Sequence, residues 1–444
     1  MAQLGASDAL AQLLAAIRRQ LPALRLLTDE LDREAYRLDE TAYLRDGFGL
    51  PGAIALPTLT TEVASLLRLA SEHGVAVVPR GAGTGLSGGA AGIEGALTIA
   101  MTRMDRILEI DPANLCVVTQ PGTINATLKA AVAAAGLFYP PDPASYETCT
   151  IGGNLGTNAG GLCCVKYGQT RDWVLGLEVV LADGRVIRTG GRNVKDTAGY
   201  ALTQLFIGSQ GTLGIITEAT LRLRPLPGPR STLLAFFATV EAAGEAVAAM
   251  TRAGIQPVTL ELMDHATILA VDEWHHLGLD REAAAMLMVE SDAPGAEATA
   301  ELDRAERACS GAGATSLVRA ADAAEADWLR EARRQALRAL ERLGMVRMED
   351  VGVPRAAVPQ LLRAIERIAA AHGVRSATFG HVGDGNLHPN FIFDRDDGRA
   401  AALTEQVRDE IFGEALALGG TVTAEHGVGV VRRGWLARQR GADA

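Results

Sequence analysis

Two histidines on either side of a glycine-rich turn are the residues of this chain best suited to chemistry. His381 and His388 flank Asp384-Gly385, a dipeptide that favours a two-residue β-hairpin turn. A turn centred there makes the histidines directly opposed partners, with Cβ atoms roughly 5 Å apart on one face. Two imidazoles that converge in this way, joined by a carboxylate from elsewhere, form a ligand set for a divalent metal with open positions. The motif therefore predicts a catalytic metal site.

A carboxylate and a third histidine follow in Glu425-His426-Gly427. Successive side chains of an extended segment point to opposite faces, so Glu425 and His426 cannot readily bind one ion together. We assign Glu425 to the metal and His426 to proton transfer. The alternative for each histidine is a packing role, as a strand cap or a hydrogen-bonded core residue. Three of the eight histidines of the chain lie in these two short stretches, which favours the metal site.

A second region suited to ligand binding is the glycine-rich loop 79–89. It contains the pattern Gly-x-Gly-x-x-Gly at Gly83, Gly85 and Gly88, which is typical of a dinucleotide-binding Rossmann turn. A Rossmann turn opens directly into a helix, whereas residues 90–100 contain two further glycines and end in a strand-like sequence. Glycine at alternate positions instead favours backbone N–H groups curled around a phosphate. An NAD-binding Rossmann turn and a flexible surface loop are the alternatives.

Two later stretches have the same character. Residues 140–161 combine prolines and glycines with small hydroxyl and amide side chains, which let the backbone approach a ligand closely. Residues 208–217 continue the alternation of turns and strands. Glycine-rich loops that recur within one region predict a single large ligand.

The composition restricts the class of protein. The chain has 444 residues, of which 48% are hydrophobic, and a formal net charge of −11. No block of Lys and Arg offsets that charge, which argues against a nucleic-acid partner. The longest apolar run is too short to span a membrane, and no targeting signal is recognisable. The five cysteines are spaced neither as a disulfide framework nor as iron–sulfur ligands, which fits a reducing compartment.

The order of predicted elements indicates two kinds of architecture in the chain. Residues 8–44 are predicted as helix, and short strands, a helix over 61–73 and glycine-rich turns follow. The Pro/Gly cluster at 225–229 marks a domain boundary. Beyond it, the pattern indicates an α+β sheet with helices on one face. The strands are predicted at 232–240, 257–263, 285–291, 314–320 and 345–351, and the helices at 241–254, 295–309, 323–343, 355–372 and 399–418.

Four motifs together carry a resemblance to a known family. They are residues 79–89, 150–161 and 205–217 and the histidine motif. In these motifs the sequence resembles the FAD-linked D-2-hydroxyacid dehydrogenases of the vanillyl-alcohol-oxidase flavoprotein type. That family includes D-lactate dehydrogenase, D-2-hydroxyglutarate dehydrogenase and the FAD subunit of glycolate oxidase. The resemblance extends in order over residues 40–432.

The resemblance implies an α+β fold in three parts. A helical segment over 1–48 precedes a two-subdomain FAD-binding domain of the PCMH type over 49–227. An α+β cap, or substrate, domain over 228–444 carries the metal motif and a C-terminal segment that returns to the flavin. Relatives continue for a few dozen residues beyond the Glu-His-Gly motif, so a less complete flavin pocket is expected here.

The resemblance also implies FAD, bound without a covalent link. The residues expected at the pyrophosphate are Pro79, Arg80, Gly81, Ala82, Gly83, Thr84, Gly85, Ser87, Gly88 and Gly89. Those expected along the ribose and isoalloxazine are Pro141, Asp142, Pro143, Thr150, Ile151, Gly152, Gly153, Asn154, Thr157, Asn158, Ala159, Gly160 and Gly161. Gly211 is also expected to contact the cofactor, with Ile215 and Ile216 flanking the adenine.

For the reaction, the resemblance assigns His381, His388 and Glu425 to a metal, usually zinc in relatives. A 2-hydroxyacid would chelate that metal through its carboxylate and hydroxyl. His426 would take the hydroxyl proton while the Cα hydride passes to flavin N5. The product would be the 2-oxoacid.

Two arginines are candidates for binding the substrate. Arg330 matches an arginine that clamps the substrate carboxylate in the family, and its alternative is a solvated helix face. Relatives that oxidise hydroxyglutarate carry a lysine where this chain has Met348, although Arg347 is adjacent. Lactate, glycolate or a similar monocarboxylate is therefore expected, with D-2-hydroxyglutarate as the alternative.

The resemblance also sets expectations about partners. Electrons are expected to pass to a quinone, a cytochrome or an iron–sulfur subunit. The chain is expected to be cytoplasmic, with any membrane association through that partner, and to form a homodimer or a heteromeric complex. Two other functions stay open: a flavin-binding subunit that is inactive alone, and a metallohydrolase that needs no flavin.

Overall fold

The computed structural model describes residues 6–394 and 396–442, which divide into two compact units. The first, called here the N-terminal unit, contains the described residues up to Gly160, together with Gln169–Leu226 and His426–Val431. The second, the C-terminal unit, contains Gly161–Gly168, Pro227–Glu425 and the described residues from Arg432 onward. The chain passes from one unit to the other inside the Pro/Gly cluster and between Glu425 and His426, and also after Gly160, Gly168 and Val431.

The N-terminal unit contains two sheets and a short strand pair. The order in the four-stranded sheet is Arg25–Leu27, Ala53–Leu56, Leu97–Ala100 and Val77–Arg80. The order in the antiparallel five-stranded sheet is Ile107–Asp111, Cys116–Thr119, Ile215–Arg222, Val174–Val180 and Val186–Gly190. The pair is Leu137–Phe138 with Arg224–Pro225. The α-helices described in this unit are Ala6–Gln20, Glu30–Glu34, Thr60–His73, Asn125–Ala134, Ile151–Thr157 and Leu202–Phe206.

The single long helix predicted over 8–44 is wrong beyond Gln20, although Glu30–Glu34 forms a separate short helix. The first helix ends at Gln20, just before Pro22, which has no N–H to donate and disfavours helix in the preceding residue. Arg25–Leu27 then joins the four-stranded sheet as an edge strand. The remaining helix packs its apolar stripe, which includes Leu13 and Ile17, into the core of that sheet.

The loop after Val77–Arg80 does not open into a helix. Between this strand and Leu97–Ala100 the structure has only turns, and the two strands are parallel neighbours. The alternative of a Rossmann turn is therefore wrong, because the helix whose N-terminus would receive the phosphates is missing from 81–96. Within 150–161, in contrast, a short helix that the sequence did not predict spans Ile151–Thr157. Thr150 caps it by accepting the N–H of Gly153 at 3.2 Å.

The C-terminal unit is built on one antiparallel eight-stranded sheet. Its order is Ala314–Arg319, Ser231–Phe237, Ala285–Ser291, Thr259–Asp264, Arg375–Gly380, Asn386–Phe393 and Met345–Met348, with Val351–Gly352 also paired to Asn386–Phe393. The α-helices described here are Cys164–Tyr167, Val240–Arg252, His265–His275, Ala296–Gly311, Ala323–Arg334, Ala336–Glu341, Val358–His372, Gly398–Ala417 and Arg433–Arg440. Of all the described helices in either unit, none has the length and apolar character needed to cross a bilayer.

The α+β prediction is confirmed for this unit, with two local corrections. The helix His265–His275 was not predicted; it begins where Asp264 accepts the N–H of Thr267 at 2.9 Å. The helix predicted over 323–343 is interrupted at Gln335, so that two shorter helices replace it.

Candidate active site

The histidine hairpin forms, but in a register that differs from the prediction. Phe379, not His381, lies opposite His388. His381 lies just beyond the end of its strand, where Val382–Asp384 form a 3-10 turn. Gly385 ends that turn at φ 79°, a left-handed conformation that suits glycine. This longer turn replaces the predicted two-residue turn, and it separates His381, which lies just before it, from His388, which lies in the following strand Asn386–Phe393.

The predicted metal ligands nevertheless converge on one carboxylate oxygen. Nε2 of His381 is 3.1 Å from Oε1 of Glu425, and Nε2 of His388 is 3.2 Å from the same atom. The two rings lie edge to face, with centroids 5.3 Å apart. All three side chains belong to the C-terminal unit, and both histidines are buried. This part of the prediction agrees with the geometry.

The second nitrogen of each ring determines what the first can do. Nδ1 of His388 donates to the backbone carbonyl of Glu349 at 3.3 Å, and Nδ1 of His381 faces Oε1 of Glu261 at 2.7 Å. Each Nδ1 faces an acceptor and can carry the ring proton, and in the neutral form of each ring this leaves a lone pair on Nε2. Two imidazole lone pairs and a carboxylate oxygen thus meet in one buried place. That donor set fits a divalent cation such as zinc.

The charges of the cluster shift the pKa values of its members in opposite directions. Burial by itself lowers the pKa of His381, but the carboxylates of Glu261 and Glu425 outweigh it, and the pKa lies well above its ordinary value. Burial raises the pKa of Glu425, but His381 and His388 outweigh that effect, and the pKa lies well below its ordinary value. Glu425 is therefore negatively charged, and the protonated form of His381 balances that charge.

Asp350 fixes the carboxylate ligand relative to the hairpin. Its Oδ1 accepts from the side-chain amide of Asn386 at 2.7 Å. Its Oδ2 accepts from the N–H groups of Ala424 and Glu425 at 2.9 and 3.0 Å and from the hydroxyl of Thr423 at 2.6 Å. Asp350 is fully buried. One carboxylate therefore joins the hairpin to the segment that presents Glu425.

In the N-terminal unit, the side chain of Arg80, the last residue of its strand, anchors loop 79–89. Arg80 donates to the carbonyls of Ala90 and Leu38 at 2.9 and 2.8 Å, across the base of the loop. For the backbone N–H groups of residues 82–85, no acceptor is found in the described part of the chain. Consecutive N–H groups with no partner form a cradle that fits a phosphate anion.

The structure brings the predicted FAD-binding stretches of this unit together. A Cβ at Gly81 would overlap with the Thr150 hydroxyl, and a Cβ at Gly211 would overlap with the Pro79 ring. The segment His426–Val431 joins them, since the N–H of Val430 donates to the carbonyl of Ser87 at 2.9 Å. Four segments of the N-terminal unit therefore lie in contact with one another: residues 79–89, 150–153, 211 and 426–431.

Some residues of the predicted FAD set have other packing partners. Ile215 lies in the hydrophobic core with Leu97, and Gly161 belongs to the C-terminal unit. Asn158 adopts a left-handed conformation at the end of its helix and bonds Gln169 at 2.7 Å. Their contact with the cofactor, like that of Ile216 and of residues 141–143, stays a prediction.

Comparison with known proteins decides the family. The sequence family described as FAD binding domain matches residues 51–190. The family described as the C-terminal domain of FAD linked oxidases matches residues 226–444. Glycolate oxidase subunit GlcD of Bacillus subtilis is 44% identical over 416 residues, which cover 93% of this chain and 88% of the relative. The D-lactate dehydrogenase of Archaeoglobus fulgidus is 34% identical over 405 residues, covering 90% and 88%. The D-2-hydroxyglutarate dehydrogenase of Xanthomonas citri is 34% identical over 437 residues, covering 96% and 91%.

The chain belongs to the FAD-linked oxidase family. The predicted resemblance is confirmed, and the reading as a metallohydrolase without flavin is set aside. The fold of this FAD-linked oxidase is also confirmed: p-cresol methylhydroxylase superposes with a TM-score of 0.79 at 16% identity, over 98% of this chain and 92% of that one.

The two arginines predicted to bind substrate in this FAD-linked oxidase already have carboxylate partners. Arg330 lies 3.0 Å from Glu290 and also pairs with Asp327. Arg347 lies 2.8 Å from Glu349 and 3.3 Å from Glu405. Arg347 is buried, and neither guanidinium is a solvated surface group.

Three residues around the histidines were missed by the sequence analysis: Glu261, Arg333 and Asp350. Glu261 is the single charged residue inside the buried run Thr259–Met263, and that isolation was a usable signal. Arg333 lies one helical turn after Arg330 and is the buried one of the two. Asp350 gave no signal of its own, because its partners come from two distant segments.

Asp350→Ala is expected to lower the free energy of unfolding of the C-terminal unit by about 1–3 kcal/mol, because it leaves buried donors without an acceptor. The measurement is denaturant unfolding followed by tryptophan fluorescence. Asp303→Ala, which removes an exposed partner of Arg319, is the matched control and should cost less than about 1 kcal/mol. Equal losses in the two variants would contradict the role given to Asp350.

Proposed function

We propose that this FAD-linked oxidase converts a small 2-hydroxymonocarboxylate, glycolate or the D isomer of a lactate-like acid, into the 2-oxoacid. A divalent cation, expected to be zinc, would be held by His381, His388 and Glu425. The observation that supports the metal most strongly is that two imidazole nitrogens lie 3.1 and 3.2 Å from one carboxylate oxygen in a buried place. The substrate class is supported by the names of the relatives, a glycolate oxidase subunit and a D-lactate dehydrogenase.

The reaction removes a hydride from Cα and a proton from the hydroxyl. When bound, FAD accepts the hydride and the cation makes the hydroxyl more acidic. The chain must then supply a base, and we assign that role to His426. It follows the proposed ligand Glu425 directly in the sequence, and an imidazole titrates near neutral pH.

For the substrate carboxylate, Arg333 is a better candidate than Arg330. Arg330 is engaged by Glu290 and Asp327, whereas Arg333 lies buried beside Glu261, at 2.6 Å, and its charge also acts on Glu425. A guanidinium held beside the ligand cluster can receive one carboxylate of a chelating acid.

A substrate with a second carboxylate lacks an evident cation. Arg347 is paired with Glu349 and Glu405, and its neighbour Met348 is apolar and buried. This favours a monocarboxylate over D-2-hydroxyglutarate.

For FAD, we assign the pyrophosphate to the N–H groups of 82–85. The ring system would lie along Thr150–Gly153 and Gly211, which the structure gathers around that loop. The cofactor would remain non-covalent.

A second candidate function is a subunit that passes its electrons to another protein. Two relatives, from Bacillus subtilis and Escherichia coli, are named as subunits of glycolate oxidase. A quinone, a cytochrome or an iron–sulfur protein would then be the acceptor. Bleaching of the flavin by substrate without turnover on a dye acceptor would favour this second function.

Anaerobic titration of the oxidised-flavin absorbance tests the substrate and the metal together. Glycolate and D-lactate are expected to bleach the flavin, whereas L-lactate and D-2-hydroxyglutarate leave it oxidised. A chelator, or His388→Ala, should suppress bleaching, because the cation loses a ligand. The control is His372→Ala, which removes a histidine outside the cluster that bonds Glu410 at 2.8 Å. Full bleaching in a His381→Ala, His388→Ala double variant would refute the metal.

His426→Gln separates the base from the metal ligands. The substitution is expected to lower kcat by about 10²–10⁴, the usual contribution of a positioned general base, with zinc content and flavin content unchanged. The measurements are turnover with a dye acceptor and metal analysis of the same sample. A variant that keeps wild-type kcat, or one that loses zinc, would contradict the assignment.

Gly81→Val tests the location of FAD. The new side chain collides with Thr150 and should reduce the flavin bound per chain, measured by absorbance after purification. Gly191→Val is the control, because a Cβ at Gly191 meets nothing within 4 Å. Equal and complete flavin content in both variants would place the cofactor elsewhere.

A further inference from the structure

Glu261 is a buried charge with no part in the reaction described so far. It lies in the central strand Thr259–Asp264, opposite Met288 of the neighbouring strand, and only 1% of its surface is exposed. Burying a carboxylate is unfavourable unless partners compensate for the lost hydration. The contacts of its two oxygens must therefore compensate for this burial.

Each oxygen of Glu261 meets one functional side chain of the site. Oε1 lies 2.7 Å from Nδ1 of His381, and Oε2 lies 2.6 Å from Nη2 of Arg333. Arg333 is itself buried and stacks over the ring of Phe379, with Cζ 4.6 Å from the centroid. The guanidinium is thereby held between the carboxylate of Glu261 and the ring of Phe379.

The two histidine ligands are held in different ways. Nδ1 of His388 donates to the carbonyl of Glu349 at 3.3 Å, with Oδ1 of Asp350 farther away at 3.9 Å, whereas Nδ1 of His381 donates directly to a carboxylate oxygen at 2.7 Å. A carboxylate behind an imidazole fixes the ring and its tautomer and makes the opposite nitrogen a stronger donor to a metal. Of the two imidazoles, His381 is therefore the one with a carboxylate in direct hydrogen-bond contact behind it.

We propose that Glu261 is a positioning residue that acts through His381 and Arg333 at once. It holds His381 as the Nδ1–H tautomer, with the Nε2 lone pair directed at the cation, and it holds Arg333 for the substrate carboxylate. This inference rests on the proposed function and deepens it, since one buried carboxylate couples cation affinity to substrate affinity.

Glu261→Gln tests the coupling in the flavin-loaded protein. The amide can donate to Nδ1, which favours the tautomer with its proton on Nε2, the nitrogen needed for the metal. Zinc affinity, measured by competition with a chromophoric chelator, should fall 10- to 100-fold, and KM should rise because Arg333 loses its partner. Glu261→Asp keeps the charge and should recover a substantial part of the zinc affinity.

Glu290→Gln is the matched control. Glu290 is equally buried on the adjacent strand Ala285–Ser291 and is paired with Arg230 at 3.0 Å, but it contacts no imidazole. Its substitution should leave zinc affinity within about twofold. A similar loss in both glutamine variants, or no loss in Glu261→Gln, would overturn the positioning role.

The outcomes separate this inference from the function on which it rests. If the His388→Ala variant binds zinc as tightly as the wild-type protein does, the proposed metal site is wrong, and the role of Glu261 is wrong with it. If His388→Ala abolishes zinc binding while Glu261→Gln binds zinc normally, only the positioning role fails.

Discussion

Two imidazole nitrogens and one carboxylate oxygen meet in a buried place, each with an electron pair to share. When both rings are neutral and carry their protons on Nδ1, toward Glu261 and the carbonyl of Glu349, no member of this arrangement can satisfy the others. A proton or a metal ion between them would supply the positive charge that removes the repulsion among these electron pairs. The surrounding elements hold these three atoms together.

That task falls to elements far apart in the sequence. The hairpin supplies His381 and His388, and a separate segment supplies Glu425, so a third element must join them. Asp350 does so from the end of a neighbouring strand, by binding both Asn386 and the backbone of 423–425. A buried carboxylate whose oxygens are all occupied by donors specifies one geometry, since any other leaves it unpaired.

The sequence was informative where local residue patterns decide the outcome. The convergence of His381, His388 and Glu425 and the absence of a Rossmann helix after Gly88 agree with the prediction from spacing and glycine, whereas metal binding by the three side chains stays a prediction. The register of the hairpin was not, because Gly385 ends a 3-10 turn instead of occupying a two-residue turn. The strand at Arg25–Leu27 was also missed, since its pairing with Ala53–Leu56 is a tertiary contact. Glu261 and Asp350 required coordinates, because their partners are remote in sequence.

X-ray absorption at the zinc edge of the zinc-loaded protein tests the central claim most directly. The account predicts two imidazole nitrogens at about 2.0–2.1 Å and a carboxylate oxygen at about 2.0–2.2 Å, with the imidazole scattering reduced in His388→Ala. A zinc environment without imidazole, or one that is unchanged by that substitution, would contradict it.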